Sequence, residues 1–123
     1  MTEVNLKTLS ESELTARFRE YALEKETALL DSETTKFKGI YKKLQSIDAE
    51  LRARGPAARK ALLILLNDEN FRVRYEAAVR SLAIAPERAR AVLQEIADSH
   101  LMPEAGDAGM TLLELDRGVF KPT

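Results

Sequence analysis

The sequence has 123 residues, no cysteine and a formal net charge of −1 at pH 7. That length suits one domain with a real core, and the composition excludes disulfides, thiolate chemistry and Cys-based zinc sites. The balance of charge also departs from the strongly basic footprint typical of DNA-binding domains.

The charge is unevenly placed along the chain. Residues 1–33 hold eight acids against four bases, Arg52 to Arg90 nine bases against four acids, and Glu95 to Asp116 six acids and no base. Solvated helix faces of differing sign would produce this pattern, as would a basic middle surface that receives an acidic partner. The start, Met1-Thr2-Glu3-Val4-Asn5, lacks the basic patch and apolar stretch of a signal peptide. The longest apolar run, Ala61 to Leu66, is too short to cross a bilayer, so a cytoplasmic protein without membrane contact is expected.

Ser10 and Glu13 have the spacing of a capping box, with Leu9 and Leu14 at the staple positions. Behind them Leu14, Phe18, Tyr21, Ala22 and Leu29 recur at helical spacing, with Lys25 expected to snorkel from the edge of the stripe. A second helix is predicted from about Glu33 to Arg54, its core face being Phe37, Ile40, Tyr41, Leu44, Ile47 and Leu51. Asp48 falls on that face. It reads as a partly exposed pair with Arg52, the alternative being a buried carboxylate holding a base from a neighbouring helix. Gly55 is the C-cap candidate, and Pro56 opens a third helix to about Leu66. The run Leu62 to Leu66 is apolar all round and calls for cover on more than one side.

Asn70 is the predicted N-cap of a fourth helix with two apolar stripes, one of Phe71, Tyr75, Ala78, Val79 and Leu82 and one of Val73, Ala77 and Ile84. Between them Arg72, Glu76 and Arg80 form a ladder of alternating sign that is expected to face outward. A fifth helix after Pro86 carries Ala89, Val92, Leu93, Ile96 and Ala97, and a sixth runs from Leu101-Met102-Pro103 to near Arg117, with Gly118 beyond. No segment alternates as a strand does. The Phe120 side chain is expected to pack back on the last hairpin.

The spacing Leu62-Leu63-x-Leu65-Leu66-x-Asp68, then Val73-Arg74, Ala77-Ala78 and Leu82 resembles a HEAT repeat over about thirty residues. In that family a turn Asp and an Arg six residues later bond across stacked repeats, which implies structural roles for Asp68 and Arg74. The whole chain also resembles a family of small bacterial proteins known only as a domain of unknown function. That likeness lies in Arg54 to Leu66, in Ala105-Gly106-Asp107-Ala108-Gly109-Met110 and in the ending Leu115 to Thr123. The expected fold is all-α, three stacked helical hairpins forming a HEAT-like α-solenoid fragment. Its parts are a divergent hairpin at 1–55, the repeat at 56–84 and a degenerate repeat with tail at 85–123.

Two glycines inside the sixth helix each cost about 1 kcal/mol relative to alanine. Close helix packing at Gly106 and Gly109 would explain them, and so would a small-residue face that a partner approaches, with Asp107 as acceptor. The segment has neither the spacing nor the preceding strand of a phosphate-binding loop. His100 is the only histidine, which makes neither a triad nor a metal site, and no cofactor or metal is expected. The sequence therefore reads as a non-enzymatic protein-binding module, with Arg72, Glu76, Arg80 and Asp107 as candidate partner contacts. A toxin-neutralising role is one version. The alternative is a nucleic-acid-associated protein using the arginine-rich surface, and self-association of the basic middle with the acidic C-terminal region is also open.

Overall fold

A computed structural model describes residues 5–123; residues 1–4, part of the segment read for a leader, lie outside them. Its described residues are helical with no strand, and the helices pack as sequential hairpins. The elements are α1 (Glu11–Leu30), α2 (Thr34–Ala53), α3 (Pro56–Arg59) running into a 3-10 segment (Lys60–Asn67), α4 (Phe71–Ser81), α5 (Pro86–Asp98) and α6 (Glu104–Asp116). No helix is long and apolar enough to cross a membrane among the described residues. The chain divides into two compact units, Met1–Ala61 and Leu62–Thr123. That division falls inside the segment 56–84 expected to form one repeat.

In the first unit α1 packs on α2. The capping box forms as predicted: Glu13 N–H donates to the Ser10 hydroxyl and Ser10 N–H to the Glu13 carboxylate, both at 3.1 Å. These bonds from the Ser10 backbone and side chain hold the Glu13 carboxyl below its ordinary pKa. Leu14, Phe18, Ala22 and Ala28 of α1 meet Ile40, Leu44, Ile47 and Leu51 of α2 in a buried core.

Lys25 corrects the expectation of an edge residue, since it is only 5% exposed. Two rings of α2 cover its ammonium, with Phe37 and Tyr41 centroids at 4.8 and 5.2 Å. Aromatic faces attract a desolvated cation, so α2 supplies the environment that snorkelling would have supplied. Tyr41 acts as a lid here and stays 46% exposed, rather than sitting in the core. Asp48 is likewise buried, against the expected exposed pair with Arg52.

The corner after α2 turns on Gly55, which has φ 110° and ψ 173°. This is not the left-handed cap expected of it. The last turn of α2 closes through Arg54, and Gly55 takes a region that only glycine occupies at low cost, immediately before Pro56 at the first helical position. Arg54 ties this corner to the N-terminal turn by donating to the Leu6 carbonyl at 3.0 Å.

The predicted third helix is α-helical for one turn only and then tightens to 3-10. Three residues per turn align Leu62 with Leu65, and both are buried together with Leu66, while Ile64 turns out to solvent at 71% exposure. The all-round cover expected of this run is therefore absent at Ile64. In the second unit Asn70 caps α4 by accepting from Val73 N–H at 3.0 Å, as predicted. α4 packs on both α5 and α6, and α5 packs on α6. Gly118, at φ 69°, ends α6, and the tail folds back. Phe120 is half-buried, and Pro122 lines a cavity of about 270 Å³ with Leu82, Ala83, Pro86, Arg90 and Leu115.

Candidate functional site

Residues four apart return to the same side of a helix, so α4 presents Arg72, Glu76 and Arg80 in one row. The row expected to face outward is buried: Arg72 is 1% exposed, Glu76 2% and Arg80 7%. The cause is tertiary. α4 has neighbours on two sides, and α6 answers the row with Glu104 and Asp107 from its first turn.

Arg72 joins the two helices. Its Nη2 donates to Glu104 Oε2 at 2.9 Å and to Asp107 Oδ2 at 2.7 Å, while Nη1 donates to Glu76 Oε2 at 3.1 Å. Arg80 reaches the other oxygen of Glu76 at 2.7 Å and also the Glu76 carbonyl at 3.0 Å. The Tyr75 ring lies 5.0 Å from the Arg72 guanidinium, and its hydroxyl meets Thr111 of α6 at 3.0 Å.

Burial opposes the charge on Arg72, but the bond to Asp107, the field of Glu76 and the bond to Glu104 outweigh it and hold the guanidinium above its ordinary pKa. Burial also raises the Tyr75 hydroxyl, against the bond to Thr111, and the Glu76 and Asp107 charges reinforce that rise. These five charged side chains comprise three carboxylates and two guanidiniums, so one negative charge is in excess. The open end of the group is Asp107, whose side chain is 43% exposed against 2% for Arg72.

Chemically this is a tie between helices, with a single wet carboxylate. Among the described residues no three His, Asp or Glu side chains are placed to hold a metal. Of the four expected partner contacts, only Asp107 is at the surface. Glu104 was missed in the sequence because an acid in the first turn of a helix is ordinarily read as a complement to the helix dipole.

Arg74 binds forward, to Glu95 of α5 at 2.6 Å, and its guanidinium lies 5.1 Å from the Phe71 ring. Asp68 accepts from Asn70 N–H at 3.0 Å and braces the turn before α4. Of the arginine set, Arg72 and Arg80 are internal, Arg54 pairs with Glu50, and Arg90 pairs with Asp116.

The glycines do not mark a close helix contact. A Cβ at Gly109 would meet nothing within 4 Å, and one at Gly106 would meet only the Met102 side chain, with Sδ at 3.2 Å. Both look outward from α6, beside exposed Met102, Met110 and Leu113.

Residues 12–116 match the family described as a domain of unknown function, DUF2019. The chain belongs to that family. It is also similar to the crystal structure of the protein RPA1889 from Rhodopseudomonas palustris CGA009, with 39% sequence identity and a TM-score of 0.92. That similarity covers 98% of this chain and 100% of the other. No curated protein matches. The DUF2019 match spans α1 through α6, so it takes in both the Arg72 group and the glycine-bearing face.

Proposed function

We propose that this DUF2019 protein is a non-enzymatic protein-binding module whose contact surface is the outer face of α6. The observation that carries this reading is the pairing of exposed Met102 (73%), Met110 (56%) and Leu113 (41%) with a helical glycine, Gly109, that the protein's own packing does not require. Exposed apolar side chains grouped on one face mark interaction surfaces, whereas scattered ones do not. Methionine suits such a face because its flexible thioether adapts to different partners.

The sequential hairpins, with the repeat-like spacing from Leu62 to Leu82, support a HEAT-like α-solenoid fragment. In that architecture stacked hairpins present extended surfaces that bind other molecules. A toxin-neutralising protein, which covers the active site of a partner, is one concrete form of such a module. Asp107 keeps its place as a contact residue at the edge of the face. Arg72, Glu76 and Arg80 act through it, by fixing α6 on α4.

Affinity capture from native lysate with the wild-type chain and the Met110→Glu/Leu113→Glu variant tests the reading. A stoichiometric protein partner should survive nuclease and moderate salt with the wild type and be lost with the variant. Equal recovery by both proteins would sink the α6 surface. Recovery that vanishes with nuclease would favour nucleic acid through the exposed arginines.

A further inference from the structure

At 3.6 residues per turn, Gly106, Met110, Leu113 and Arg117 share the outermost side of α6, with Asp107 and Glu114 along one border and Gly109 and Asp116 along the other. The low point of this face is at Gly109, where the space is open, whereas the Met102 side chain lies over Gly106 and Met110 stands exposed beside it. Met102 and Leu113 rise near its two ends. An apolar face with a gap at Gly109 fits the seam of another helix, one of whose large side chains can settle there.

The borders select the charge of that helix. Asp107 belongs to the buried group with one carboxylate in excess, and only its Oδ2 is engaged by Arg72. Its Oδ1 has no hydrogen bond among the described residues. Glu114, two turns further along the same border, forms no ion pair among the described residues. Asp116, 61% exposed, marks the other border beside its partner Arg90. From Glu95 to Asp116 the chain holds six acids and no base.

We propose that the outer face of α6 docks an amphipathic helix of a partner protein whose apolar seam is bordered by lysine or arginine at positions seven apart. The spacing follows from Asp107 and Glu114, which lie about 10 Å apart along the axis at 1.5 Å per residue. This inference rests on the binding surface proposed above and names the chemistry of its occupant. A second copy of α6 fits poorly. An antiparallel copy sets like borders against each other and brings Asp107 toward the Glu114 of the other copy.

The test uses the full chain and two labelled 18-residue helical peptides. They share a leucine seam and differ only in lysine or glutamate at two border positions seven apart. Binding is followed by anisotropy and by methyl NMR of Met102, Met110 and Leu113. The lysine peptide should bind about ten-fold tighter than the glutamate peptide at low salt, a difference shrinking as salt rises. Glu114→Lys should erase that preference, and Gly109→Leu, which fills open space without touching Arg72, should weaken both peptides. Equal binding of the two peptides, competed by Gly109→Leu, would remove the basic occupant and leave the surface standing. Binding of neither peptide would overturn the inference, while the lysate capture above judges the surface separately. Concentration-dependent self-association abolished by Met110→Glu would overturn it in favour of a second copy.

Discussion

In the α1–α2 hairpin the buried cation, Lys25, lies beneath the rings of Phe37 and Tyr41, whereas in the α4–α6 helices the buried cations, Arg72 and Arg80, lie among carboxylates. Both arrangements place a base where the helix pattern suggests solvent or a stripe edge. The lysine under the rings has a flexible stem and a polarisable lid, both of which adapt to small shifts. The arginine group needs directional partners from two helices, because a guanidinium carries five donors in a fixed fork. The second arrangement therefore specifies how α6 sits on α4, while the first tolerates small shifts of α2 over α1.

Removing one member of the arginine group should break this contrast most strongly. Glu104→Gln weakens the charge-assisted bonds to Arg72, which keeps Glu76 and Asp107, and is expected to cost about 2–3 kcal/mol, read as a lower midpoint in urea unfolding. Thinning the lid over Lys25 should matter less: Phe37→Leu is expected to lose about 1–2 kcal/mol, the range for a desolvated cation over a ring. A loss as large as that of Glu104→Gln would show that the two arrangements are equally specific.

Within the arginine group, Asp107→Asn should cost about 1 kcal/mol or less, because water screens its half-exposed carboxylate. Gly109→Ala should go the other way and stabilise by about 0.5–1 kcal/mol, since the new Cβ meets nothing and the helix gains propensity. A destabilised Gly109→Ala protein would show that the helix there needs glycine for its own packing. The smallest effect concerns acid. The folded-state pKa of Glu13 is depressed, so its contribution to the capping box is complete above the usual carboxylate range and lost as pH falls through the folded value. The Glu13→Gln variant should lack that acid-sensitive component in stability measured against pH.

Much of the candidate site was legible residue by residue and illegible in its orientation. Arg72, Glu76 and Arg80 stand out by their four-residue spacing, yet the same spacing describes a solvated ladder and a buried one. Asp107 and the two glycines stand out as a local oddity, but a glycine beside open space and one in a close helix contact look the same in the sequence. Glu104 has no pattern of its own, since its partner lies thirty-two positions away in the chain.

The sequence by itself determined the local features: the Ser10–Glu13 capping box, the Asn70 cap, Pro56 at a helix start and the apolar faces of α1, α2 and α5. Each of these is decided by residues within a turn or two of one another, where spacing and side-chain chemistry suffice. Only the tertiary structure decided which way the charged rows face, how tightly the leucine run winds and that Lys25 and Asp48 are buried. Those outcomes depend on which helix packs against which, because burial of a charge is set by the partners that neighbouring helices bring to it.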